Sequence, residues 1–177
     1  ESEAVVQLEA WKAVTAPLGI FAILGNHDYE DRPQVIRDMY AALGWTDATN
    51  VRFTLTKDAA SIELIGTDDT FFGHPDVALL KTPHAIPRIV LAHSPDTMLD
   101  LERGDADLVF AGHTHGGQIR LPFFGSITRL PQRGPRAWDR GRKLVHGIPL
   151  IISAGLGVSG PAVRLFCPPE LVIVDLV

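Results

Sequence analysis

Ala111-Gly112-His113-Thr114-His115-Gly116-Gly117-Gln118 lies directly after a predicted buried strand, residues 107–110. The β-branched and aromatic residues favour that strand, and the glycine after Ala111 ends it. Residues i and i+2 of an extended chain project to the same side, so His113 and His115 can face one point. Imidazole is the most common protein metal ligand. Because a lone His-x-His pair is more often a polar turn than a metal site, the interpretation depends on ligands elsewhere in the chain.

Two other predicted strands end in side chains that can bind metals. Residues 20–24 form a wholly apolar strand that leads into Asn26-His27-Asp28, and residues 88–92 form another that leads into His93. The carboxyl ends of strands are where α/β sheets bind their ligands. Together with the His-x-His pair, these strand ends predict a metal centre. Imidazole nitrogen and carboxamide oxygen suit a divalent ion such as Mn, Fe, Zn or Ni.

The order of the predicted elements indicates an α/β fold in a single domain, residues 1–177. Strands alternate with helices in the first half and follow one another in the second, which favours a two-sheet β-sandwich flanked by helices. Apolar stripes and end signals predict helices from Glu1, from about Arg32 to Gly44, and from Pro95. Further strands are predicted at 51–56 and 61–66, which form a hairpin, and at 150–153, 162–166 and 170–176.

The composition is that of an ordinary folded protein, and it excludes some classes. Hydrophobic residues make up 46% and charged residues 21% of the 177 residues, as in a typical globular domain. The net charge of −5 provides no general attraction to nucleic acid, so no nucleic-acid partner is expected. Cys167 is the one cysteine, which excludes an internal disulfide framework and a thiolate-rich zinc site.

Three motifs in this order, Gly25-Asn26-His27-Asp28, His93 and Gly112-His113-Thr114-His115, resemble the last three motifs of the calcineurin-like metallophosphoesterases. Tyr29 and Gly116-Gly117-Gln118 are similar to a bacterial branch of that family that is often membrane-associated. The resemblance implies a two-metal centre whose hydroxide attacks the phosphorus of a phosphodiester or pyrophosphate in line with the leaving oxygen. It also implies a phosphorylated small-molecule or lipid-linked substrate, and a cytoplasmic or membrane-associated bacterial protein.

The same resemblance implies a role for each site residue. His27 would lie beside the phosphate and protonate the leaving oxygen, and Asp28 would orient His27. Asn26, His93 and His113 would be ligands of one metal ion. His115 would be a ligand of the other.

The family's first two motifs, Asp-x-His and Gly-Asp-x-x-Asp, do not occur upstream of Gly25. In the family they supply the other ligands of one metal and the carboxylate that bridges both. We therefore expect a catalytic domain that lacks its first strand–helix units and that, unlike its active parent enzyme, binds metal weakly and turns over poorly. A strand edge left unpaired by such a truncation predicts pairing into an oligomer.

Two other interpretations stay open from the sequence. The chain could be a non-catalytic binding or scaffolding module that keeps the fold without a full metal centre. It could also be a mononuclear zinc hydrolase that uses His93, His113 and His115. Metal content distinguishes these cases, since two transition-metal ions indicate the phosphoesterase, one tightly bound zinc indicates the mononuclear hydrolase, and none indicates the module.

The segment 120–143 carries a local excess of basic residues, six arginines and one lysine against the single acid Asp139. With Phe123, Phe124 and Trp138, this excess suits binding of a phosphorylated headgroup or of an anionic membrane surface, and it is equally typical of a solvated loop. The sequence favours neither.

The remaining polar candidates are expected to be structural. His74, His84 and His146 are predicted to be surface or hydrogen-bonded loop residues. Asp68 and Asp69 follow the strand at 61–66 and are predicted to cap a turn.

Overall fold

A computed structural model describes residues 11–128 and 132–176 of the chain. It contains three α-helices, which are α1 (Asn26–Asp31), α2 (Pro33–Leu43) and α3 (Val77–Leu80), and two 3-10 helices, Pro95–Leu99 and His115–Gly117. The strands are β1 (Phe21–Ala22), β2 (Thr46–Asp47), β3 (Val51–Lys57), β4 (Ala60–Gly66), β5 (Arg88–Leu91), β6 (Leu108–Ala111), β7 (Arg120–Leu121), β8 (Gly125–Ser126), β9 (Gly141–Val145) and β10 (Ile148–Ile152).

The main layer is a six-stranded sheet in the order β3-β4-β5-β6-β10-β9. Its inner strands β4, β5, β6 and β10 are parallel, while β3 and β9 add antiparallel edges. Val90 of β5 pairs with Val109 of β6, and Leu150 of β10 pairs with Val109 on its other side. All three side chains are fully buried in the main hydrophobic core, as expected for a parallel sheet built from β-branched and aliphatic residues.

The α/β class is therefore confirmed. A second, two-stranded parallel sheet, β1–β2, lies beside the end of β3, where the rings of Phe21 and Phe53 are 5.1 Å apart. Helix α2 begins at Pro33 and ends at Gly44, whose φ of 71° is the left-handed conformation that suits glycine. Its buried residues Ile36 and Tyr40 pack around Leu24 in a second apolar cluster, which anchors the loop that follows β1.

Some sequence-based predictions differ from the structure. The strands predicted at 162–166 and 170–176 are wrong: these residues are irregular, apart from one bridge between Ile119 and Leu165. Both sides of β10 are already paired, by β6 and β9, so an apolar run arriving there finds no free edge. Strand β9 was not predicted, because an exposed edge strand needs no apolar pattern.

Two further differences concern helices. The loop predicted at Asn26-His27-Asp28 is instead the first turn of α1. The helix predicted from Glu1 lies mostly outside the described residues, and Trp11–Ala13 form a turn. No helix of the described part of the chain is both long and apolar enough to cross a membrane.

Candidate metal centre

The loop after β1 delivers Asn26 at the first position of α1. The backbone N–H of Gly25 donates to Oδ2 of Asp28 over 2.7 Å, which closes the first helical turn around the loop. The backbone N–H of Leu24 donates to Oγ1 of Thr49 over 3.2 Å, so the buried end of the strand is tied to β2 and the chain after it. These contacts hold the Asn26 side chain at the ends of the parallel strands.

Three donor atoms from three different strand ends converge at one point. Nε2 of His93 lies 2.9 Å from Oδ1 of Asn26 and 3.0 Å from Nδ1 of His113. Nδ1 of His113 lies 3.2 Å from Oδ1 of Asn26. In an octahedral site with metal–ligand bonds of about 2.1 Å at right angles, neighbouring donor atoms stand about 3.0 Å apart. The residues therefore fit three ligands on one face of a divalent ion.

The backbone around the His-x-His pair is not extended. Gly112 donates its N–H to the carbonyl of His93 over 2.9 Å, which joins the ends of β5 and β6. His113 and His115 then adopt left-handed conformations, with φ values of 66° and 48°. Such strain is retained where the surrounding structure imposes it, as it commonly is at functional sites. The expectation of an extended backbone through His113 and His115 is therefore wrong, although both side chains line one cavity.

His115 has different partners from His113. Its Nδ1 lies 3.3 Å from the carbonyl of Gly157, while the ring of His113 stacks on Phe71 at a centroid distance of 4.9 Å. Burial lowers the pKa of His115, as do the nearby cations Arg164 and, when protonated, His113. The structure thus separates the two histidines into different environments.

His93 is held neutral. Burial, followed by the proximity of His113 and His115, lowers the pKa of His93 to about 3. Since metals bind the neutral imidazole, no proton has to be displaced from His93 at neutral pH.

His27 lies at the exposed edge of the same region. Its Nδ1 is 3.0 Å from Oε2 of Glu30, one helical turn further along α1, and its Nε2 is 3.3 Å from Oγ of Ser159. The His27 ring thus contacts both Glu30 and Ser159, and Asp28 accepts from the N–H of Gly25. Glu30 carried no signal in the sequence beyond its i+3 spacing from His27.

Five of the six predicted site residues line one cavity of about 190 Å³: Asn26, His27, His93, His113 and His115. One wall consists of Ser159 and Pro161, which Gln118 holds in place. The Gln118 side-chain amide donates to the carbonyls of both residues, at 3.1 and 2.8 Å, and accepts from the Ser159 N–H at 2.8 Å. The Gly-Gly-Gln run after the His-x-His pair was the available signal for this role.

The remaining candidates have structural roles. Asp68 accepts the N–H groups of Asp69 and His74, and Asp69 accepts those of Phe71 and Phe72, so both aspartates cap the turn as predicted. The hydroxyl of Tyr29 also donates to Asp68. Burial, followed by this bond, raises the pKa of Tyr29 to about 12.

The loop histidines lie away from the cavity. His84 contacts Asp107 at 3.3 Å, and neither it nor His74 or His146 lines the cavity. Within residues 11–128 and 132–176, no three side chains of the types His, Cys, Asp and Glu form a metal-binding group. The set that converges instead pairs two histidines with an asparagine.

Two imidazoles follow parallel strands of the mixed sheet, and one carboxamide follows β1 of the small sheet, which is an arrangement typical of the ligand-binding edge of α/β proteins. The model of the calcineurin-like phosphoesterase family matches residues 2–117, and the chain belongs to this family. Calcineurin-like phosphoesterases use divalent metal ions.

Bacterial relatives resemble most of the chain. It is 32% identical to the uncharacterized metallophosphoesterase YkuE of Bacillus subtilis, over 93% of this chain and 58% of the relative. It is 30% identical to the phosphodiesterase YaeI of Escherichia coli, over 97% of this chain and 65% of the relative. It is 27% identical to the UDP-2,3-diacylglucosamine pyrophosphatase LpxG of Chlamydia muridarum, over 91% of this chain and 65% of the relative. The chain thus spans about three-fifths of the length of these relatives.

Proposed function

We propose that the protein hydrolyses a phosphodiester or pyrophosphate bond in a reaction that depends on two divalent metal ions. The observation that carries the proposal is the convergence of Asn26, His93 and His113, whose donor atoms lie 2.9 to 3.2 Å apart. These three residues would hold one ion. A divalent ion supplies a Lewis acid that activates water and stabilises charge on the phosphoryl oxygens.

His115 would serve a second ion. It lies on the wall of the same cavity, in contact with Gly157 rather than with the three converging donors. A two-metal centre also needs carboxylate ligands, and no metal-binding group of three His, Cys, Asp or Glu side chains is found among the described residues. We infer that the part of the centre described here holds the first ion and one ligand of the second.

His27 is the proposed general acid. Its ring lies at the cavity edge with Nδ1 against the carboxylate of Glu30, which orients it. Nε2 then points toward Ser159 and the cavity, where it can give a proton to the leaving oxygen. Asp28 contributes by closing the turn that carries His27, through its bond from Gly25.

The substrate class rests on the relatives. One is a phosphodiesterase and another a pyrophosphatase for a diacylated nucleotide sugar. A phosphorylated small molecule or a lipid-linked phosphate ester is therefore the proposed substrate. The small cavity, lined by four histidines, is large enough for the phosphate group, and the rest of such a substrate would lie outside it.

Hydrolysis of bis-p-nitrophenyl phosphate with added Mn²⁺ by the full-length gene product tests the proposal. We expect His113→Ala to lower kcat/KM by at least about 100-fold, since it removes one of three converging ligands. His84→Ala, a histidine change at the Asp107 contact, should leave hydrolysis unchanged. Metal-loaded wild-type protein that does not hydrolyse the diester would instead indicate a binding module.

Metal analysis of the same protein addresses the mononuclear alternative. Two ions per chain, with one lost in His113→Ala and the other in His115→Ala, would support the assignment of separate sites. A single tightly bound zinc that both substitutions abolish would overturn it, because one ion would then use both histidines.

A further inference from the structure

The short hairpin β7–β8 presents a strongly apolar tip, which consists of residues Leu121-Pro122-Phe123-Phe124. Phe123 is fully exposed, at 105%, and Phe124 is 83% exposed. Ile127 follows at 53%. Because large apolar side chains seldom cluster in water on a soluble surface, such a patch marks an interaction site.

The tip stands on a firmly bonded base. The N–H of Ile127 donates to the carbonyl of Ile119 over 3.1 Å, and Oγ1 of Thr128 donates to the carbonyl of Gly117 over 2.7 Å. The guanidinium of Arg136 donates to the carbonyl of Ser126 at the same base. The exposed phenylalanines therefore belong to a hairpin whose base is bonded to the loop that carries the His-x-His pair.

The hairpin adjoins the cavity. Ile119 and Thr128, which flank its two strands, both line the cavity wall. On the outer side, the N–H of Arg120 bonds the carbonyl of Leu165 over 2.9 Å, which places the exposed Leu165 and Phe166 beside β7. The apolar surface thus continues from the tip along this side of the molecule.

Exposed positive charge lies at the base of the hairpin, where the Arg136 guanidinium donates to the carbonyl of Ser126. Residues 120–143 contain six arginines and one lysine against the one acid Asp139, and that carboxylate is already paired with Arg120. The Arg133 side chain is 60% exposed, with its Nε at 3.8 Å from the buried Asp96. A second copy of the chain would bring like charges together in a symmetric contact, whereas an anionic surface would meet complementary charge.

We propose that the hairpin tip inserts into an anionic phospholipid bilayer, with Arg136 at the hairpin base contacting the lipid headgroups. Aromatic side chains partition well into the boundary between headgroups and acyl chains, and cationic side chains add electrostatic attraction. The insertion brings the cavity to the membrane surface.

Vesicle flotation tests this proposal with the metal-free protein and no substrate, so its result is independent of hydrolysis. The vesicles are phosphatidylcholine alone, or an equimolar mixture of phosphatidylcholine and phosphatidylglycerol. We expect binding to the anionic vesicles that decreases with added salt. Phe123→Ser/Phe124→Ser should lower the partition coefficient by at least about tenfold.

The matched control is Leu144→Ser/Ile173→Ser, which removes two other apolar side chains that are 72% and 90% exposed. It should bind vesicles as the wild type does, and circular dichroism should show both variants folded. Wild type that fails to float, or equal binding by the Phe123→Ser/Phe124→Ser variant, overturns the proposal. A wild-type dimer in light scattering that this variant dissociates, without vesicle binding, also overturns it, because the tip would then cover a second copy.

Discussion

Replacement of Gly25 by alanine should disrupt the candidate metal centre through packing alone. The backbone of Gly25, with φ of −111° and ψ of 175°, is extended and is open to any residue. A Cβ there would lie 2.5 Å from Cε1, 2.7 Å from Nδ1 and 3.0 Å from Nε2 of His93. The substitution therefore adds one methyl group against the face of a proposed ligand, without backbone strain.

The size of the effect follows from these distances. Carbon atoms in contact normally stand about 3.5–4.0 Å apart, so either the His93 ring or the loop must move by about 1 Å. Metal–ligand distances are set to within about 0.2 Å. If the ring moves, the His93 nitrogen is displaced from the other two donor atoms. If the loop moves instead, the adjacent Asn26 side chain is displaced. We expect Mn²⁺ affinity to fall by about 10–100-fold or more, and stability by about 1–3 kcal/mol from overpacking.

The assay is isothermal titration of the full-length gene product with Mn²⁺, at a temperature where circular dichroism shows the variant folded. Gly112→Ala is the matched control, because it is also a glycine next to His93, yet its Cβ would meet nothing closer than the His93 carbonyl oxygen at 3.8 Å. Wild-type affinity in Gly25→Ala would refute the reasoning. An equal loss in Gly112→Ala would show that the effect is not specific to the ring contact.

Two further predictions concern charged groups away from the three converging donors. Glu63→Ala should lower the free energy of unfolding, measured in urea, by about 3–5 kcal/mol, because it leaves the fully buried Arg88 guanidinium without its carboxylate. Lys81→Ala is the control: it breaks a more exposed ion pair with Asp105 and should lower the same free energy by about 1 kcal/mol or less. Arg164→Ala should cost about 1–3 kcal/mol, since its guanidinium donates to the carbonyls of Ala154 and Gly155 at 2.7 and 3.1 Å. Amide exchange should then speed up at residues 153–158, and unchanged exchange would argue against a role for Arg164 in holding this loop beside His115.

Much of the fold could be predicted because local sequence patterns indicate where its strands and helices begin and end. The hairpin of β3 and β4, the central strands β5 and β6, and helix α2 from Pro33 to Gly44 all show the periodicity or end signals of their element. The C-terminal strands could not be predicted correctly. Residues such as Ile173 have a high strand propensity, but a strand forms only where a neighbouring edge is free.

The candidate site was predicted in its members but not in its geometry. Asn26, His93 and His113 were singled out because each follows an apolar strand, and the structure brings their donor atoms together; their role as ligands remains a prediction. The contact between His27 and Glu30 and the stacking of Phe71 on His113 were not foreseen. Such contacts depend on how a helix or loop turns after its strand, which composition does not reveal.

The sequence by itself determined the class of fold and the residue types at the strand ends, because apolar runs, glycines and prolines act locally on the backbone. Only the tertiary structure decided which of those residues meet. The parallel register of β5 and β6 carries His93 to His113, and the left-handed turns at His113 and His115 send their imidazoles to different partners. Two residues that look equivalent in the His-x-His pair thus make different contacts in one cavity, since side-chain direction is set by backbone torsions and packing rather than by spacing.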